Sequence, residues 1–178
     1  MFKRHLFALV ATTMLGCHPA SPPAPPPLPA AAFADIPGRD LTRFRVRDSG
    51  HRAALLDTLN AQERLWRHRR PARYEYAILR SCGCLGDLLY RPYIVRVDAG
   101  RSAAFDADGH LVTRDPARAA VLSIDSIFSD VRRELESGAP YVQVSYDPQF
   151  GFPEHTLTDY PGITDSFSET TVRQFRPR

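Results

Sequence analysis

SIDSIFSDVRRELESGAPYVQVSY, residues 123–146, changes its hydrophobic period partway along. Ile124, Ile127, Phe128, Val131 and Leu135 recur at spacings of three and four, which puts them on one stripe of a helix. Ser123 offers an N-cap hydroxyl, and Gly138 and Pro140 close the helix. From Tyr141 to Asp147 apolar and polar residues alternate, the period of a strand with one buried face. A one-sided helix running into a one-sided strand predicts helices layered on a sheet.

Working outward, the same two periods recur. Leu55, Leu56, Leu59 and Trp66 give an apolar face to a helix that starts at Ser49 as N-cap and runs to about His68. Arg64, Arg67, Arg69 and Arg70 crowd its C-terminal end, where positive charge suits the helix dipole, and Pro71 stops it. Tyr74, Tyr76 and Ile78 alternate up to Cys82; Tyr93, Val95 and Val97 alternate again before the turn Asp98-Ala99-Gly100. Ser102 to Asp106 reads as a short strand, followed by the turn Asp106-Ala107-Asp108-Gly109. After a turn at Pro148–Gly151, strands are expected at His155–Tyr160 and Ser168–Phe175. The predicted order is α-β-β-β-α-β-β-β: an α+β domain with a mainly antiparallel sheet and two helices on one face. The order also looks like one α-β-β-β unit used twice, an arrangement similar in outline to PepSY-like and β-lactamase-inhibitor-like domains.

The N-terminal third has a different character. Lys3, Arg4 and His5 precede an apolar run from Leu6 to Leu15, too short to span a bilayer but of signal-peptide length. Met14-Leu15-Gly16-Cys17 resembles a lipoprotein cleavage box, with Met14 in place of the usual leucine. Eight of the 16 prolines fall between Pro19 and Pro37, in a stretch that has too few apolar side chains to build a core. At roughly 3.1 Å per residue, some twenty residues reach on the order of 60 Å. The expected organisation is a signal peptide over 1–16, a lipidated Cys17 with a Pro/Ala-rich tether over 17–37, and one domain over 38–178. The expected location is the bacterial cell envelope, lipid-anchored and facing the periplasm. His18 after the cysteine, where aspartate retains enterobacterial lipoproteins in the inner membrane, favours the outer one.

Composition removes several function classes. Without Lys3 and Arg4 the chain carries 21 basic against 20 acidic side chains, too balanced for phosphate-backbone binding, so no nucleic-acid partner is expected. Lys3 is the only lysine, which excludes a phosphate-loop lysine, a Schiff-base lysine and a serine–lysine dyad from the mature chain. The zinc-protease, nucleophile-elbow and dinucleotide motifs are missing from the sequence.

A set of landmarks remains: Trp66, Tyr74-Glu75-Tyr76, Cys82-Gly83-Cys84, Val95-Arg96-Val97, Ser123 to Phe128, Tyr146-Asp147-Pro148-Gln149-Phe150-Gly151-Phe152-Pro153, and Asp159 with Asp165. Together, over about residues 60 to 176, they resemble an uncharacterised family of bacterial secreted and lipoprotein domains, DUF6174. The Tyr-Asp-Pro-x-x-Gly-x-Pro stretch is the most specific part. The resemblance implies a single fold and an envelope location, and carries no activity with it.

The strongest chemical candidate is Cys82-Gly83-Cys84. With Cys17 acylated, these are the two cysteines left in an oxidising compartment, and they read first as a structural bridge, then as a redox dithiol or a copper(I) site. Asp106-Ala107-Asp108-Gly109 hints at a calcium loop, but Ala117 stands where a bidentate glutamate is needed, so it reads as a hairpin turn. Asp147, His155, Asp159 and Asp165 are candidates for convergence, though aspartates beside turn prolines are commonly local backbone acceptors. Trp66, Tyr74, Tyr76, Tyr90 and Tyr93 read as core or cross-strand packing, and the arginines from Arg64 to Arg73 as a solvated helix end or a contact for anionic lipid. The expectation is therefore a membrane-anchored, non-enzymatic binding domain with an envelope protein partner. It needs no catalytic residue, metal or cofactor, and the alternative is thiol-redox or copper handling by Cys82 and Cys84.

Overall fold

A computed structural model describes residues 24–29, 31–34, 45–82, 91–113, 122–161 and 167–178. The elements are α1 (Ser49–Arg69), β1 (Arg73–Cys82), β2 (Pro92–Asp98), β3 (Arg101–Phe105), β4 (Leu111–Thr113), α2 (Ile124–Ser137), β5 (Tyr141–Tyr146), β6 (Pro153–Asp159) and β7 (Ser168–Pro177). All seven strands join one sheet in the order β4-β3-β2-β1-β7-β6-β5, and every pairing is antiparallel. The α+β class and the order of elements stand as expected, with two refinements. Leu111–Thr113 forms a short edge strand, too brief to show a period in the sequence, and it makes the Asp106–Gly109 turn a hairpin. The α1 cap is Asp48, not Ser49: Asp48 is extended, and its carboxylate accepts from the His51 amide at 2.7 Å.

Strand alternation sends Tyr74, Tyr76 and Ile78 of β1 toward the helices with Tyr93, Val95 and Val97 of β2, where they meet the α2 stripe in one core. All five stripe residues of α2 are buried, whereas α1 buries only Leu59 and Trp66 and keeps Leu55 and Leu56 half-buried. Trp66, fully enclosed, stands edge-on to Tyr74, Phe152 and Phe175 at 5.4, 5.8 and 5.8 Å. Its indole N–H donates to Asp125 Oδ1 at 3.0 Å, joining α1 to the first turn of α2.

The pairing of β1 with β7 carries a bulge. Glu75 opposes Arg176 and Ala77 opposes Arg173, so Tyr76 alone faces both Gln174 and Phe175. The extra residue takes φ +53° at Gln174 and resets the alternation. Phe175 thereby joins Val172 on the helix side, and Arg173 and Arg176 share the other face.

Candidate functional site

Several sequence candidates fall outside the described residues: Cys17, Cys84, Tyr90 and Asp165. Cys82 ends β1, its backbone opposite Ser168 of β7. Lipidation at Cys17 and the chemistry of Cys82 with Cys84 thus rest on the sequence.

The Asp106 turn is built by its own backbone. Asp106 Oδ1 accepts from the amides of Asp108 (3.0 Å) and His110 (2.8 Å), and Oδ2 lies 3.3 Å from His110 Nδ1. The hydrogen bond from the His110 amide, helped by the imidazole and opposed by slight desolvation, holds the Asp106 carboxyl below its ordinary pKa of 3.8. Ligand atoms of Asp106, Asp108 and His110 lie within 4.8 Å of one another, and the carboxylate that would lead such a site is already occupied by the turn.

The Tyr146–Pro153 motif is a structural clamp. Asp147 Oδ1 accepts from Gln149 N at 2.9 Å and Phe150 N at 2.6 Å, while its backbone N–H donates to Phe152 O at 2.9 Å. Arg69 at the end of α1 donates to Gln149 O at 2.8 Å, and Gly151 at φ +82° lies against Gln62 and Leu65 of α1. Asp147 and Asp159 do not converge. They flank opposite ends of β6, a strand of seven residues that spans about 20 Å.

His155 finds a different partner from those expected. It is 4% exposed, on the sheet face away from the helices, with Nε2 3.0 Å from Glu169 Oε1. Its cross-strand neighbour Thr171 is 1% exposed. Neither His155 Nδ1 nor Thr171 Oγ1 has a hydrogen-bond partner among the described residues.

The same face holds a second buried polar group that sequence reasoning missed. Glu75 is 3% exposed and Arg96 7%, with Arg96 Nε and Nη2 at 2.9 and 2.7 Å from Glu75 Oε2. Arg176 Nη2 lies 2.8 Å from Glu75 Oε1, and the Arg96 guanidinium sits 5.5 Å from the Phe105 ring centroid. An alternating charged position ordinarily reads as solvated, so only the charge opposition of Glu75 and Arg96 at facing register hinted at the pair. The tyrosines beside it behave as expected: Tyr74, Tyr76 and Tyr93 are core, and Tyr76 Oη donates to Leu122 O at 2.7 Å.

The arginines at the end of α1 are largely engaged within the domain, Arg67 with Glu63, Arg70 with Asp125, Arg73 with Asp98 and Arg69 with Gln149. What distinguishes the molecule is therefore its outer sheet face, where Glu75, Arg96, His155 and Thr171 are buried beside Ala77, Ile94, Phe105 and Leu157, none of which joins the helix-side core. No curated protein matches the chain. The Family of unknown function (DUF6174) matches residues 58–177, from the middle of α1 to the end of β7, and the chain belongs to that family.

Proposed function

We propose that the chain is a lipid-anchored protein of the bacterial envelope whose α+β domain acts as a non-enzymatic binding module for an envelope protein. The observation that carries this reading is the N-terminal order of basic residues, short apolar core, Gly16-Cys17 and proline-rich stretch, which supplies an export signal, an acylation point and a spacer in sequence. Among the described residues no helix is long and apolar enough to cross a membrane. Several acidic side chains have structural roles: Asp147 and Asp106 build turns, Asp48 caps α1, and Asp125 and Glu75 hold partners within the domain. By the residue that follows Cys17, the outer membrane is the proposed destination.

Mass spectrometry of the chain made in a bacterial host tests the anchor. A lipid-modified N-terminal peptide beginning at Cys17 is expected, and an unmodified N-terminus overturns the anchoring. Crosslinking in intact cells tests the binding role, for which recovery of one reproducible envelope protein is expected. Turnover of a substrate by the lipid-free chain counts against it.

A further inference from the structure

Phe105, Ile94, Ala77 and Arg173 are successive register partners and so form one row across β3, β2, β1 and β7 on the outer face. Phe105, Ile94 and Ala77 are 3%, 2% and 2% exposed. Among the described residues the helices pack on the other face, so an apolar row here needs a different cover to leave water. The β3–β4 turn stands at one end of the row and the β7 bulge at the other.

Residues 24–29 contact the turn and line a hollow with the bulge. Leu28 N donates to Ala107 O at 2.8 Å. Pro25 is buried, and its carbonyl oxygen lies where a Cβ on Gly109 would approach to 2.7 Å. Pro26, Pro27 and Pro29 share a hollow of about 410 Å³ with Gln174, Phe175 and Arg176 of the bulge. Because β2 and β1 lie between the turn and the bulge, a segment that contacts one and lines a hollow with the other runs along the outer face beside the buried row.

The sequence suits that path. In Pro25-Pro26-Pro27-Leu28-Pro29 only Leu28 carries an N–H, and that donor is the one bonded to the domain. Prolines bring apolar rings that lose little freedom on docking. The bulge gives the groove its other wall, at the cost of a non-glycine residue in the left-handed region at Gln174.

We propose that residues 24–29 are a strap: a proline-rich ligand that the domain carries on its own chain and binds along the outer face of the sheet. The consequence, which rests on acylation of Cys17, is a short leash. Pro25 stands eight positions beyond Cys17, a reach of about 25 Å at polyproline spacing. If the strap were free, the leash would lengthen by the chain that follows Pro25, since Arg45 stands 28 positions beyond Cys17. Docking of the strap therefore sets how far from the membrane the domain works.

Amide exchange on the full chain with Cys17→Ser, which carries no lipid, tests the strap by itself. Leu28 should exchange at least tenfold more slowly than in a free peptide of residues 20–34. Leu28→Pro keeps the stiffness and removes the donor. It should move the Ala107, Gly109 and Gln174 resonances toward those of a chain whose residues 24–29 are replaced by Gly-Ser. Leu28 exchanging at the peptide rate, or resonances unmoved by the Gly-Ser replacement, overturns the strap. With the acylated chain on dansyl-headgroup vesicles, energy transfer from Trp66, the sole tryptophan, should fall on Gly-Ser replacement. Undiminished transfer overturns the short leash. An unmodified Cys17 removes the anchor and the leash, leaving the strap to stand or fall on Leu28.

Discussion

Gly151 lies so close to α1 that a Cβ added to it would meet the carbonyl oxygen of Gln62 at 2.9 Å. Leu65 Cβ would be 3.0 Å away, so the β5–β6 turn has docked on the helix with no space for a side chain. Gly138, the C-cap of α2, has the same left-handed sign of φ, at +94°, but nothing within 4 Å of its added Cβ.

The pair separates backbone strain from close approach. Gly138→Ala carries strain alone and is expected to cost about 1 kcal/mol. Gly151→Ala adds overpacking against a helix backbone and is expected to cost about 2–4 kcal/mol. Urea unfolding of both variants measures the difference. Equal costs would mean that the turn can lift from α1 freely and that the clamp is no clamp.

Glu75 and Arg96 form a buried ion pair, and Arg176 also approaches Glu75, so removing the carboxylate takes a shared acceptor from two arginines. Glu75→Met is expected to destabilise by about 3–5 kcal/mol, and Arg96→Met by less, because Arg176 stays beside the carboxylate. The double variant Glu75→Met with Arg96→Met should lie closer to wild type than the sum of the two, because the pair is then removed together. Strict additivity in denaturant unfolding would contradict coupling between them.

The helix-side layer was legible in the sequence because periodicity reports it directly: the α2 stripe, the Tyr74–Ile78 alternation and the Ser123 cap all stand where their spacing puts them. The outer face was not, because polar residues alternating with apolar ones carry the same pattern whether water or protein lies over them. Glu75, Arg96 and His155 look solvated in sequence and are buried in the fold. The bulge at Gln174 was hidden for a related reason, since one extra residue shifts a strand's phase without changing its composition. The Tyr146–Pro153 motif was visible as a pattern, yet its role as a clamp on α1 depends on contacts between residues far apart in sequence. Convergence of Asp147 with Asp159 failed on strand length alone.

The Asp106 carboxyl is held below 3.8 in the folded chain, first by the His110 amide. A depressed carboxyl contributes stability that is present above its unfolded pKa and lost as pH falls through the folded one. The contribution of the β3–β4 turn should therefore be intact at neutral pH and fade below pH 3.8. Asp106→Asn removes the charge at every pH, so its deficit relative to wild type should shrink as acid is added. Amide exchange at Asp108 and His110 is the local readout, and a deficit that stays constant from pH 7 to pH 2 would sink the assignment.

At the alkaline end the buried tyrosines control the outcome. Burial, reinforced by the Asp125 carboxylate, pushes Tyr74 up to about 12, and burial pushes Tyr146 up to about 12. Burial, aided by Tyr74 and Asp125, also raises Tyr76 well above 10.0. A group whose folded pKa is raised contributes its full stability below the unfolded pKa, here near 10, and loses it as pH rises through the folded value. Stability is thus expected to fall between about pH 10 and pH 12, with Tyr74, Tyr76 and Tyr146 withheld from ionisation until the domain opens. Tyrosinate absorbance followed beside far-ultraviolet circular dichroism should show the late fraction rising with unfolding. Tyr76→Phe strands the Leu122 carbonyl that its hydroxyl now serves, and should cost about 1–3 kcal/mol at neutral pH. It should also flatten the alkaline slope, because one of the withheld protons is gone; an unchanged slope would place the alkaline transition elsewhere in the molecule.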